Sequence, residues 1–112
     1  MPFVNVKTNT QLNKGRILKL KNAVGEAISL IPGKSEDWLM VGVDQQNIFF
    51  KGTEDPAAMI QVQIYGEATK AAMNSLTEKL TEIACECLSV KPERVYVSYM
   101  QTPDWGWNGN NF

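Results

Sequence analysis

The sequence predicts an α/β (α+β) fold in which two repeated β-α-β units form a four-stranded mixed sheet with two helices on one face. Four runs are rich in apolar and β-branched residues, two longer segments carry apolar residues at helical spacing, and the two kinds alternate as strand, helix, strand in each half. A helix of about twenty residues between strands is typical of a crossover between parallel strands. The length of 112 residues suits a single domain over residues 1–112.

The first strand is predicted from about Pro2 to Thr8, since Phe3, Val4 and Val6 favour a pleated, half-buried surface. Proline is tolerated as the first residue of a strand because it has no N–H for the ladder. Initiator methionine is commonly removed before a small residue, and Pro2 would then carry a free secondary amine. An apolar site lowers the pKa of an α-amino group from roughly 7.7–8.0, which makes Pro2 a candidate base in a chain without histidine. The alternative is that Pro2 only begins the strand.

The first helix is predicted from about Leu12 to Ile31, with Asn9 or Thr10 as its N-cap and Pro32-Gly33 at its end. Its charged residues lie mostly off the apolar stripe, which favours a solvated face over a binding patch. The stripe has the three- and four-residue steps of one buried helix face: Ile17, Leu20, Val24, Ile28 and Ile31.

The middle of the chain alternates between strand-like and loop-like segments. Trp38–Val43 is predicted to be a strand buried on both faces, because it is nearly continuous in apolar residues. Ile48–Phe50 is predicted to be a short edge strand and Lys51–Pro56 a loop. Alternation over Ala58–Tyr65 predicts a strand with two different faces, which Gly66 ends.

The second helix is predicted from about Thr69 to Leu88, and a strand is predicted at Val95–Met100 after Pro92. Asp104–Phe112 is a short tail rich in aromatic residues. Cys87 falls on the apolar stripe of the helix, which favours a small buried hydrophobe over a redox role. The whole stripe is Met73, Leu76, Leu80, Ile83 and Cys87.

Two helices on one face of the sheet leave the other face bare. This face includes polar residues such as Gln61 and Gln63 beside apolar ones. Because such a face must be covered, we expect the chain to form an oligomer.

The composition excludes several classes of protein. A net charge of −1 gives no indication of a nucleic-acid partner, and no apolar run is long enough for membrane insertion. Cys85 and Cys87 are too close in the sequence for a disulfide that would stabilise the fold, and no CxxC motif occurs. Without histidine a zinc site is not expected, and no cofactor is predicted. No signal peptide precedes the first strand, so we expect a cytoplasmic protein.

Five motifs spread over the whole chain carry a resemblance to a known family. They are Met1-Pro2-Phe3, Gly33-Lys34, Pro92-Glu93-Arg94-Val95-Tyr96-Val97, Gly106-Trp107-Asn108 and the final Phe112. In this order and spacing the sequence resembles the macrophage migration inhibitory factor and D-dopachrome tautomerase family of the tautomerase superfamily.

The resemblance implies a homotrimer in which three sheets face inward as a barrel wrapped by helices. This arrangement would cover the bare sheet face, with the segment near Ile48 and the tail pairing with neighbouring subunits. The implied activity is a cofactor-free keto–enol tautomerisation of phenylpyruvate-like and dopachrome-like compounds, with Pro2 as the base. The alternative implied function is a cytokine-like protein that binds a cell-surface receptor and is secreted without a signal peptide.

The resemblance also implies a set of substrate-binding residues. Lys34 would bind a substrate carboxylate, and the backbone N–H of Tyr65 and the side chain of Tyr96 would lie near the substrate. The residues alone leave other roles open, because Lys34 also suits a helix C-terminus and Tyr96 suits a packed strand. The residues implied to line or rim the pocket are Trp38, Trp105, Trp107 and Phe112, and packing is an equal alternative for Trp107.

Three positions depart from the best-known member of the family. Tyr65 stands where that protein has a smaller aliphatic residue, which implies a narrower pocket. Ser98 stands where it has asparagine, which shortens one polar contact, and Trp105 replaces a smaller residue at the pocket mouth. The CxxC of that protein is absent after Pro56, so no thiol oxidoreductase activity is expected.

Overall fold

The computed structural model describes residues 1–112 and confirms the two β-α-β units. Short 3-10 turns lie at Ile28–Leu30, Glu36–Trp38 and Pro92–Arg94. The regular elements are β1 (Pro2–Thr8), α1 (Lys14–Ala27), β2 (Met40–Gln45), β3 (Ala58–Tyr65), α2 (Lys70–Leu88), β4 (Val95–Thr102), β5 (Gly106–Trp107) and β6 (Asn110–Asn111).

The main sheet is mixed and has the strand order β2-β1-β3-β4. Strand β1 is parallel to β2, and β3 is parallel to β4, as the crossover helices predict. The two halves join through antiparallel pairing of β1 with β3, in which Pro2 lies opposite Ile64. The predicted fold class is therefore confirmed.

The core lies between the sheet and the two helices. Burial alternates along β1 and β3, so that every second side chain points toward the helices. Each large apolar side chain buried there contributes about 1.5–3 kcal/mol relative to its exposed state. Most of both predicted helix stripes is buried, while Ile17 and Met73 are only partly covered. The largest fully buried side chains include Val4, Leu20, Ile28, Ile60, Ile64, Leu76, Leu80 and Leu88.

Helix α1 begins later and ends earlier than the sequence predicts. Its N-cap is Asn13, whose Oδ1 accepts a hydrogen bond from the Arg16 N–H at 2.8 Å. The predicted caps have other partners: the amide of Asn9 donates to Ile48 O at 3.1 Å, and the hydroxyl of Thr10 donates to Leu88 O at 2.9 Å. Beyond Ala27 the chain tightens into a 3-10 turn.

The second strand differs from its prediction in position and in burial. It begins at Met40, because Trp38 belongs to a 3-10 turn. It is an edge strand, and Met40 is 68% exposed. Burial on both faces is wrong for the single chain, since the helices cover only one face of the sheet.

Ile48–Phe50 does not form the predicted edge strand. Phe50 instead pairs with Thr53 across a tight turn, in which Lys51 and Gly52 have φ angles of 52° and 79°. Two successive residues with positive φ match a type I′ turn, which reverses the chain before a strand can extend.

Helix α2 agrees with its prediction. Thr69 is the N-cap and accepts a hydrogen bond from the Ala72 N–H at 3.1 Å, and Cys87 is buried as predicted. The phenol of Tyr99 on β4 donates to Met73 O at 2.8 Å, and its oxygen lies 2.8 Å from the hydroxyl of Thr77. Tyr99 therefore ties β4 to α2, and burial raises the pKa of its phenol.

The tail forms a small hairpin that the sequence interpretation missed. Strands β5 and β6 pair across Asn108-Gly109, whose φ angles are 54° and 84°. Asn-Gly is the preferred pair for a type I′ hairpin turn, so the signal was present in the sequence.

The second face of the main sheet is not covered by this chain. Gln61 and Gln63 lie on it, partly buried, as predicted. Its exposed apolar side chains include Met40, Tyr96 and Met100. Neither α1 nor α2 is both long and apolar enough to cross a membrane.

Replacing Tyr99 with Phe should destabilise the fold by about 1 kcal/mol, because the change removes the hydrogen bonds between β4 and α2. The measurement is thermal unfolding at a fixed protein concentration. Tyr96→Phe is the matched control, since the hydroxyl of Tyr96 makes no hydrogen bond within the chain and 61% of the residue is exposed. An equal loss of stability in both variants would contradict the role given to Tyr99.

Candidate active site

The N-terminus lies at one end of the central strand pair. Pro2 is buried where β1 begins, opposite Ile64 of β3. The carbonyl oxygen of Met1 accepts a hydrogen bond from the Tyr65 N–H at 3.1 Å. The end of β3 therefore holds the first residues of the chain in place.

Lys34 approaches the same point from the loop that follows α1. Gly33 has a φ of 83°, which turns the chain after the helix, and the Lys34 N–H donates to Ile31 O at 3.1 Å. The ammonium nitrogen of Lys34 donates to Tyr65 O at 2.8 Å. The two backbone polar groups of Tyr65 thus bring the N-terminus and Lys34 together.

Aromatic side chains form the walls of this region. The rings of Tyr65 and Phe112 are 5.5 Å apart, and those of Trp38 and Trp107 meet edge to face at 5.1 Å. A cavity of about 330 Å³ is lined by Met1, Trp38, Tyr65 and Phe112.

A second cavity of about 370 Å³ shares Met1 and Trp38 with the first and includes Pro2, Trp105 and Trp107. The tail hairpin carries Trp107, and the Phe112 N–H closes the tail by donating to Trp105 O at 3.0 Å. Two open cavities with mainly apolar linings therefore flank the N-terminus.

The electrostatic surroundings favour a neutral N-terminal amine. Burial and, to a smaller extent, the Lys34 ammonium lower the pKa of the Met1 α-amino group from 8.0 to about 6. Both causes disfavour the protonated form, so the Met1 amine is mostly neutral at pH 7. The region therefore combines a neutral amine with a cationic side chain.

Most of the predicted site residues come together, and two do not. Pro2, Lys34, Tyr65 and the four aromatic residues Trp38, Trp105, Trp107 and Phe112 surround the two cavities or their shared N-terminus. In the sheet, however, Tyr96 aligns with Met59 and Ser98 with Gln61.

Tyr96 lies toward the opposite end of the sheet from Pro2, and Ser98 lies near the middle of β4. Pro2 aligns with Ile64, five residues beyond Met59, and strands rise about 3.3 Å per residue, so the separation along the sheet is roughly 16 Å for Tyr96. Tyr96 is exposed and packs on Phe50, with ring centroids 5.0 Å apart. Their contact with a substrate is not made within one chain and stays a prediction.

Several residues at the site were missed by the sequence interpretation. Met1 lines both cavities, and Asp37, Leu39 and Met40 line the second. Met40 lies beside Phe3 because β1 and β2 pair in parallel. A prediction that began β2 at Met40 would have indicated this neighbour. Asp37 carries no such signal, because its place depends on the turn at Glu36–Trp38.

The arrangement suits a small, flat, anionic ligand. Lys34 supplies a positive charge, the amine supplies a base, and aromatic rings supply the walls. No cluster of three or more histidine, cysteine, aspartate or glutamate residues is present to hold a metal ion. The chemistry offered by these residues is proton transfer next to a bound carboxylate.

The chain matches a known protein family over its whole length. The family model described as macrophage migration inhibitory factor (MIF) matches residues 1–112. Macrophage migration inhibitory factor from Rattus norvegicus is 29% identical over 118 aligned positions, covering 100% of this chain and 99% of the rat protein. The protein from Mus musculus matches equally well.

Solved structures agree with the family match. The crystal structure of Leishmania major MIF2 has a TM-score of 0.93 at 31% identity, covering 100% of this chain and 97% of that one. The macrophage migration inhibitory factor-like protein of Entamoeba histolytica has a TM-score of 0.88 at 14% identity, covering 99% and 98%. At that identity the second likeness concerns the fold alone.

Replacing Lys34 with Met should raise the pKa of the Met1 amine from about 6 toward 8.0, because it removes a positive charge beside that amine. The pKa is measured by ¹⁵N NMR titration of protein made with methionine aminopeptidase inhibited. Lys14→Met is the control, since Lys14 is exposed at the start of α1. A Lys34→Met variant whose pKa matches the control would contradict the coupling.

Proposed function

The chain belongs to the macrophage migration inhibitory factor family of the tautomerase superfamily, and we propose that it is a cofactor-free keto–enol tautomerase. The proposed substrate is a small aromatic α-keto acid or its enol, of the phenylpyruvate or dopachrome kind. One observation carries the proposal: an N-terminal amine of lowered pKa lies beside the Lys34 ammonium at an aromatic cavity.

Removal of Met1 is the step that would create the active form. The nitrogen of Pro2 is an amide while Met1 is attached, and the Met1 carbonyl occupies the Tyr65 N–H. Cleavage would leave a secondary amine on Pro2 and free this N–H to donate to a ligand. One event thus supplies both the base and a hydrogen-bond donor.

The proposed reaction moves one proton and needs no redox partner. Neutral Pro2 takes a proton from the carbon next to the substrate carbonyl, and the electron pair of that C–H bond forms the enol C=C bond. The carbonyl oxygen gains a proton as the enol hydroxyl, which Pro2 returns through its ammonium form. Atoms and electrons balance within the substrate.

The other side chains position the substrate for this transfer. The Lys34 ammonium pairs with the substrate carboxylate, and the freed Tyr65 N–H donates to a carboxylate or carbonyl oxygen. Tyr65 and Phe112, whose ring centroids are 5.5 Å apart, bound the space for the aromatic ring. We interpret Tyr65 as a residue that narrows the pocket toward small, flat rings.

We propose that the active form is a homotrimer. The uncovered sheet face supports this assembly, since it exposes Met40, Tyr96 and Met100. In this assembly a neighbouring copy would bring Tyr96 and Ser98 to the cavities, which lie away from both residues within their own chain. In this proposal the site is complete only at a subunit boundary.

The alternative function is a cytokine-like protein that binds a cell-surface receptor, with residual tautomerase activity. The similarity to rat and mouse proteins named macrophage migration inhibitory factor favours it. It requires release from the cell, whereas the enzyme is proposed to act in the cytoplasm. Receptor binding that survives Pro2→Gly would favour the alternative.

Pro2→Gly should lower kcat/KM for phenylpyruvate by roughly 10²–10⁴-fold, the usual contribution of a general base. Glycine is also small, so Met1 removal is expected in both proteins and is checked by intact mass. Pro103→Gly is the control, because Pro103 is exposed beyond β4. Unchanged activity in a Met1-free Pro2→Gly protein of unaltered oligomeric state would contradict Pro2 as the base.

The activity should fall as the pH decreases through the folded pKa of the Pro2 amine. The base acts when neutral, and we expect burial and Lys34, which lower the pKa of the Met1 amine, to act in the same direction on the Pro2 amine once Met1 is removed. The half-maximal pH is therefore expected below about 7.7, the ordinary value of an α-amino group. A profile of kcat/KM against pH measures it, and a flat profile through this range would contradict the proposed base.

A further inference from the structure

We propose that the second cavity beside the N-terminus binds a small quaternary ammonium ion, with tryptophan rings as its walls and Asp37 as the opposite charge. This cavity of about 370 Å³ is called the tryptophan cavity, and its lining includes Trp38, Trp105 and Trp107. These are all the tryptophans of the chain. The binding does not require the proposed reaction and is measured without it.

Two separate parts of the chain bring the three indole rings together. The turn at Glu36–Trp38 supplies Trp38, and the tail supplies Trp105 and Trp107. The Phe112 N–H donates to Trp105 O at 3.0 Å, which extends the ladder of β5 and β6 by one pair. Because residues two apart in an extended strand share a face, Trp105 and Trp107 meet the same cavity.

The rings of Trp38 and Trp107 form two walls at nearly a right angle. Their planes cross at 87° with centroids 5.1 Å apart, so the edge of one ring contacts the face of the other. Trp38 is 52% exposed and Trp107 is 51% exposed, so this contact leaves much of both rings uncovered. Tryptophan is on average a highly buried residue. Two half-exposed indoles at one cavity therefore indicate a surface that binds a ligand.

The charge of the lining favours a cation. Asp37 is the only lining residue with a charged side chain, and Lys34 is not among the lining residues. Both ion pairs of the chain lie elsewhere, so the Asp37 carboxylate is unpaired. The face of an indole ring is negative and attracts a cation placed over it. No cation of the chain uses these rings, since its two cation–ring contacts both involve Phe50.

The lining also selects the kind of cation. Apart from Asp37 it is mainly apolar, so it offers few acceptors to N–H groups. A guanidinium has five N–H donors and a lysine-type ammonium has three, and donors left unpaired against apolar walls cost free energy. A quaternary ammonium has no N–H, and its methyl groups can pack on the rings while its charge faces them. The expected ligand therefore resembles the trimethylammonium head of choline.

The test compares choline with its neutral carbon analogue, in which a tert-butyl group replaces the trimethylammonium group. Binding is measured by the fluorescence of the three tryptophans in the full chain, at constant ionic strength. The pH is 8.0, at which the Met1 amine, with its pKa of about 6, is neutral and does not repel the cation. We expect choline to bind with a Kd about tenfold lower than that of the analogue. Equal Kd values, or no saturable change with choline, would overturn the inference.

Asp37→Asn removes the charge and keeps the shape of the side chain. It should raise the Kd for choline by about fivefold and leave that for the analogue within about twofold, because a charge at contact distance acts on the cation alone. Asp104→Asn is the matched control, since it makes the same change of charge in the tail at an exposed residue that does not line the cavity. The inference is wrong if both variants weaken choline binding equally, or if Asp37→Asn changes both Kd values alike.

Trp107→Leu and Trp107→Phe test the ring. Leucine keeps an apolar wall without a ring quadrupole, so choline should lose most of its advantage over the analogue, whereas phenylalanine should retain part of it. Phe49→Leu is the control, because Phe49 is 67% exposed and does not line the cavity.

Thermal unfolding with each ligand is the second readout, since a ligand of the native state raises the midpoint, and it shows whether each variant folds. Choline should raise the midpoint of the wild type more than its analogue does at the same concentration. A folded Trp107→Leu protein that prefers choline as strongly as the wild type would contradict the role of the rings. If that variant does not fold, the comparison of Asp37→Asn with Asp104→Asn decides.

Discussion

The antiparallel pairing of β1 with β3 is the interaction on which the candidate site depends. Its register places Pro2 opposite Ile64, so that Met1 reaches Tyr65 at the end of β3. A slip of one residue would turn every side chain of β1 to the other face and move the core residues Val4 and Val6 into the open. The same hydrogen-bond ladder thus determines both the hydrophobic core and the position of the N-terminal amine.

The helices and strands in which apolar residues recur at a regular spacing could be predicted from the sequence, and the short connections between them could not. The alternation of apolar and polar residues predicted β3 with its observed bounds. Apolar residues three and four positions apart predicted both helices. The predicted cap Asn9 and the observed cap Asn13 are the same type of residue, so cap preference alone does not distinguish them. Asn9 caps nothing because its Oδ1 accepts from the distant Ala57 N–H at 2.8 Å, while its amide donates to Ile48 O. A local pattern contains no information on such partners.

The residues of the candidate site also fall into those that the sequence indicates and those that it does not. Pro2 and Lys34 were singled out because the resemblance to the family includes their motifs, and the structure brings both to the end of β3, while their roles stay a prediction. Asp37 and Leu39 were not singled out, since their place at the second cavity follows from the turn at Glu36–Trp38. Tyr96 and Ser98 belong to the sheet face that one chain leaves uncovered, so their surroundings depend on assembly rather than on the fold of a single chain.

The two halves of the fold are alike, yet only one of them offers a site, and the difference lies in hydrogen-bond capacity. Arg94 follows α2 as Lys34 follows α1, and it reaches the start of β3 as Lys34 reaches the end. Its guanidinium donates to four backbone carbonyls, those of Phe50, Thr53, Asp55 and Pro56, at 2.9–3.2 Å.

These hydrogen bonds use Arg94 to hold the loop before β3. The chain continues through this loop, so the loop carries no free amine. The Lys34 ammonium has three donors and uses one within the chain, on Tyr65 O. It lies beside Met1, whose removal is proposed to leave the Pro2 amine as a base. The repeated β-α-β unit therefore gives one candidate active site of this kind. Only the first copy has a cation with free hydrogen-bond donors next to the N-terminal residue.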